Sequence, residues 1–131
     1  MGEDTWDSLY KLLLDTSIDD RIYRALADTR RRYTLYVLEE WGRVPVDELA
    51  DILTGWMHSE EYRMATVSER EQLAVELREI HIPVLKDAGL VRYDDGKGIL
   101  VLAELSPPVA QLIDWAQRND RQNNQEPNVE S

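Results

Sequence analysis

The sequence predicts a mainly helical fold that carries one small β-hairpin. Three observations predict it. Apolar residues recur at helical spacing through most of the first 85 positions. After Gly89 the period changes, and two short β-prone runs flank an Asp-Gly turn. Helical spacing then returns behind Ser106-Pro107, a cap followed by a first-turn proline.

Taken in order, Trp6, Leu9, Tyr10, Leu13 and Leu14 share one helical face, so residues 1–17 read as an N-terminal helix. Ser17 offers a cap for a second short helix on which Ile18, Ile22, Ala25 and Leu26 fall together. Asp28 or Thr29 caps a third, with Tyr33, Val37, Leu38 and Trp41 facing inward until Gly42 stops it. Arg43-Val44-Pro45 is expected to be a connector. Leu49, Ile52, Leu53, Trp56 and Met57 make residues 46–57 a helix, and residues 58–67 carry no clear period. Ser68 with Glu71 has the spacing of a capping box, and Leu73, Leu77, Ile80, His81 and Val84 line one face of the helix it opens. Pro83 lies inside that pattern, where a missing N–H predicts a kink or break near residues 79–83. Leu90–Tyr93 and Ile99–Leu102 are the hairpin strands. Val109, Leu112, Ile113 and Ala116 define a last helix over 104–118, and the polar stretch 119–131 is expected to be a disordered tail.

Composition narrows the function. The chain has 131 residues, room for one domain with its own core. With no cysteine, disulfides, thiolate metal sites and thiol redox chemistry are excluded. His58 and His81 lack metal-ligand spacing, so no metal or cofactor is expected. No apolar run reaches the ~20 residues that span a bilayer, and the N-terminus has no basic region followed by an apolar stretch. A cytoplasmic protein without a membrane partner is expected. No phosphate loop, nucleophile triad or distinct carboxylate pair stands out, so neither catalysis nor a small-molecule substrate is expected. There are 26 acidic and 15 basic residues, a formal net charge of −11, and only three of the bases are lysine (Lys11, Lys86, Lys97). Dispersed acids with few lysines suit a cytoplasm of molar salt, which screens the self-repulsion of such a surface.

Helix, helix, kinked helix, hairpin, helix is the order of a winged helix-turn-helix domain, here over residues 18–103 with added helices before and after. Leu26-Ala27-Asp28-Thr29-Arg30-Arg31-Arg32 with Leu35 to Leu38, Val46-Asp47-Glu48-Leu49-Ala50, and Leu85-Lys86-Asp87-Ala88-Gly89-Leu90-Val91 resemble three segments of arsenical-resistance-repressor-type regulators. The Arg-Arg-Arg-Tyr run and His81-Ile82-Pro83-Val84-Leu85 resemble more closely a haloarchaeal family of winged-helix domains of unknown function. The resemblance implies a transcription-regulator-like fold and, by analogy, binding of double-stranded DNA.

On that reading the expected DNA contacts are Arg63, Arg70 and Arg78 around the recognition helix and Arg92 and Lys97 on the wing. Residues 68–88 hold five acids against three bases, a net of −2, so the wing is expected to carry the contact. Arg30, Arg31 and Arg32 are expected to pair with neighbouring acids rather than with DNA. A homodimer is expected through Trp6, Leu9, Leu13, Leu112 and Trp115, which offer more apolar surface than one winged core covers. On an ideal wheel Val75 and Ile82 fall opposite the buried stripe and become candidates for protein contact, the alternative function of a protein-interaction module without DNA binding.

Overall fold

The structure, a computed structural model, describes residues 10, 11, 14, 18–58 and 66–129. Most residues of the expected N-terminal helix, Trp6, Leu9 and Leu13 among them, and the candidate contact Arg63 lie outside the described residues. The elements are α1 (Asp20–Leu26), α2 (Thr29–Trp41), β1 (Arg43–Pro45), α3 (Val46–His58) and α4 (Val67–Glu76). A π-turn (Leu77–His81) then leads to α5 (Ile82–Asp87), β2 (Val91–Asp94), β3 (Ile99–Leu102) and α6 (Pro107–Val129). Mainly helical with a small antiparallel sheet, the arrangement is winged-helix-like.

Local chemistry sets the helix starts. Asp19 accepts from the N–H groups of Arg21 and Ile22 at the head of α1, while the expected cap Ser17 lies outside the described residues. Asp28 caps α2. The capping box of α4 is Thr66 with Glu69, two residues ahead of the expected Ser68 and Glu71. Both pairs have the three-residue spacing, and Thr66 admits two more residues, about half a turn, of helix. Gly42, at φ +80°, turns the chain out of α2.

Arg43–Pro45 is a strand, not a connector. It pairs antiparallel with β3, which also pairs with β2, giving the order β1-β3-β2. Its one inward residue, Val44, is fully buried opposite Leu100.

The core lies around α2, where Thr34 through Val37 and Leu38 are all buried. Inward residues of α3 (Leu49, Leu53), the second half of the expected recognition helix, which comprises α4, the π-turn and α5 (Leu77, Ile82, Leu85), the sheet (Leu100) and α6 (Ile113) close on it. Trp41, expected inward, is half-exposed at the end of α2.

Pro83 shapes the recognition helix. In an unbroken α-helix its ring would meet the carbonyl four residues earlier. Instead the N–H of Ile82 donates to the carbonyl of Leu77, five residues back, and Pro83 enters the first turn of α5, where no donor is missed. One residue is thereby added to the turn, so every later side chain occupies the place of its predecessor. The expected inward set Ile80, His81 and Val84 becomes His81, Ile82 and Leu85, while Ile80 is 51% exposed. Ile82 is therefore core, 1% exposed, and is withdrawn as a protein-contact candidate.

The last helix does not stop at 118 with a tail after it; α6 runs from Pro107 to Val129. Asp120 accepts from Arg32 Nε at 2.9 Å and from the Tyr36 hydroxyl at 2.6 Å, which ties this turn to α2. Leu112, expected in a dimer interface, is buried in this chain's own core, and Trp115, expected outward, packs partly buried against that core.

Candidate nucleic-acid interface

The arginine triplet on α2 is structural. Arg31 donates from Nε to the carbonyl of Ala25, from NH2 to that of Arg24, and from NH1 to Nδ1 of the buried His81 at 3.1 Å. It caps the end of α1 and pins the π-turn to α2. Because a guanidinium only donates, Nδ1 of His81 is an acceptor and the ring is neutral. Burial holds the imidazole below its ordinary pKa, reinforced by Arg31 and Arg30 and opposed by Asp28 and Glu76. Arg32 is committed to Asp120 and to the carbonyl of Leu26. Arg30 stands 3.9 Å from both Asp28 and Glu76.

The candidate contacts on the recognition helix are engaged as well. Arg70 lies 3.0 Å from Asp51 and Arg78 2.7 Å from Asp47, both acids of α3. Bringing either arginine to a phosphate leaves an aspartate beside that phosphate. Val75 is exposed on the same helix, as expected.

The wing differs. Arg92 on β2 and Lys97 in the turn are exposed and make no ion pair among the described residues. The turn is held from within: Asp94 Oδ1 accepts from the Lys97 N–H, its carbonyl accepts from the Gly98 N–H, and Gly98 supplies the positive φ. Asp94, the acid nearest Arg92 in sequence, is thus occupied by backbone, and Asp95, exposed in the turn between Arg92 and Lys97, makes no ion pair with either.

Register adds a residue that sequence reasoning passed over. Arg43 of β1 and Arg92 of β2 both stand opposite Val101 of β3, so all three point to one face. That face is the outer one, since the neighbouring row Val44–Leu100–Tyr93 turns toward the core. Arg43 is exposed and unpaired among the described residues. Its signal in the sequence was the alternation Arg-Val-Pro behind a helix-stopping glycine, too short to recognise without a partner strand.

A cleft of about 460 Å³ separates α5 from the wing, lined by Arg78, Ile82, Pro83, Lys86, Asp87, Tyr93 and Asp95. Lys86 is its one exposed cation without an ion pair among the described residues. A second cleft, of about 350 Å³, opens between α3 and α4, where His58 Nε2 meets Glu69 at 2.7 Å and its Nδ1 meets the Thr54 carbonyl. Among the described residues no group of three or more histidines and carboxylates gathers as a metal site would require, and no helix is long and apolar enough to cross a membrane.

A family model described as a domain of unknown function, DUF7344, matches residues 23–101. The chain belongs to the DUF7344 family. The matched span runs from within α1 to within β3, so this DUF7344 domain contains Arg43, Arg92 and Lys97, while Asp120 and its helix lie beyond it. No curated protein and no solved structure matches the chain.

Proposed function

We propose that this is a DNA-binding transcription regulator, related to the arsenical-resistance-repressor type and working as a cytoplasmic homodimer in a salt-accumulating archaeon, with the wing as its DNA contact. The observation that carries the reading is the uneven state of the cations. Arg70 and Arg78 on the recognition helix are held by Asp51 and Asp47, whereas Arg92 and Lys97 on the wing have no acid partner among the described residues; on the recognition helix only Lys86, facing the wing across the cleft, is likewise exposed without an ion pair among them. Phosphate neutralisation supplies most of the non-specific binding free energy, and a cation without an internal partner delivers its full charge to that end. Of the expected dimer residues, Trp115 keeps some exposed surface on α6, so the dimer contact is assigned to that helix together with the N-terminal segment.

The test is a fluorescence titration of labelled promoter and random duplexes in 0.5–3 M potassium chloride. Wild type is expected to bind. The Arg92→Ala, Lys97→Ala double variant, still folded by circular dichroism, is expected to bind more weakly to both duplexes, with a salt slope lower by about two units, one per lost phosphate contact. A double variant that binds as well as wild type would overturn the wing contact.

A protein-interaction module is the second reading. It is favoured by Val75 and Ile80, 44% and 51% exposed beside the acids of the recognition helix. Absence of DNA binding at every salt concentration would favour it.

A further inference from the structure

We infer that the contact with duplex DNA is the outer face of the three-stranded sheet rather than the wing tip alone, with Arg43 of β1 as a phosphate-binding residue equal in weight to Arg92. The inference rests on the wing reading above and adds a strand to it.

The register places Arg43, Val101 and Arg92 side by side across three strands. Neighbouring strands lie about 4.8 Å apart, so the two arginine Cα atoms are separated by about 10 Å, with a valine between them. From this spacing two long arginine side chains can bring their guanidinium groups to two phosphates of one DNA backbone. Val101, partly exposed, supplies an apolar surface for the sugar between them. The next row outward, Pro45–Ile99–Asp94, adds two uncharged residues and a carboxylate already engaged by the turn.

Charge makes the pair conspicuous. The chain has 26 acids for 15 bases, and most of the arginines of α2, α4 and the π-turn are matched to one of them. Arg43 and Arg92 instead stand near each other with no acid partner among the described residues. Arg24 and Arg121 are also exposed without an ion pair among the described residues, but Arg43 and Arg92 stand side by side on one face of the sheet, an arrangement that fits an external polyanion.

The closing experiment uses the full chain and a 30-base-pair random duplex, titrated over 0.5–3 M potassium chloride. Arg43→Gln is expected to raise Kd by about 3–10-fold and to lower the slope of log K against log salt by about one unit. Arg43→Lys is expected to keep the slope. Arg118→Gln, which changes the net charge equally but lies on α6 beside Asp114, is expected to match wild type. If wild type binds and Arg43→Gln behaves like Arg118→Gln, the sheet-face contact is overturned while the wing contact stands. If wild type fails to bind the duplex at any salt concentration, both are overturned together.

Discussion

At the scale of single residues, His81 shows how a sequence position acquires a role through its neighbours. Its imidazole is 4% exposed and accepts from Arg31, which at the same time holds the carbonyls of Arg24 and Ala25. A protonated ring has no lone pair for Arg31 and sets two cations against each other. The folded pKa lies below the ordinary 6.5, first through burial, then through Arg31 and Arg30 acting against Asp28 and Glu76. The unfolded chain therefore takes up this proton before the folded one does. Stability is at its full value above about pH 6.5 and falls as pH drops below it, by at most about 1.4 kcal/mol per pH unit from this group. His81→Gln offers an acceptor that does not titrate. Urea midpoints measured at pH 7.5 and 5.5 are expected to differ less in the variant than in wild type, and equal losses in both would refute the assignment.

Among the elements, the recognition helix departs most from its ideal pattern, and its phase shift has a direct energetic signature. With the π-turn, Ile82→Ala opens a cavity in the core and is expected to cost about 2–5 kcal/mol, while Ile80→Ala is expected to cost less than about 1 kcal/mol. An unbroken helix reverses that order, so two urea denaturation curves decide between them. The episode also marks where the sequence was legible. The helical stripes of α3 and α6 and the two β-prone runs identified elements because many residues repeat the same period. A single inserted residue leaves no such period, and Pro83 signalled only that something would break. Likewise β1 has three residues, and its partner β3 lies more than fifty positions away. The turn at Asp120 is held by an arginine and a tyrosine, contacts that hydrophobic spacing does not register. The candidate site divides the same way. Arg92 and Lys97 could be found from the hairpin alone, but the pairing of Arg70 and Arg78 with α3 depends on a helix packing that residues 58–67 conceal.

On the scale of the whole molecule, two electrostatic effects of opposite sign compete as salt is added. The net charge of −11 makes the surface repel itself, and this repulsion weakens as the screening length falls from about 10 Å at 0.1 M to about 3 Å at 1 M. The exposed pairs Arg70–Asp51, Arg78–Asp47 and Arg118–Asp114 weaken over the same range. Each is worth at most about 1 kcal/mol, so their loss is a minor correction. The better shielded pair, Arg32 with Asp120, has side chains only 22% and 15% exposed and is screened much less. Repulsion between dispersed acids therefore dominates, and the melting temperature is expected to rise by several degrees between 0.1 and 3 M potassium chloride. Asp120→Asn separates the two terms: it is expected to lower the melting temperature at every salt concentration by a similar amount, because the contact it weakens is shielded, while leaving the upward trend intact. Thermal melts of both proteins across the salt series check this. A wild-type melting temperature that is highest at 0.1 M and declines thereafter would mean that attractive pairs outweigh repulsion, and the high-salt reading of the acidic surface would be lost with it.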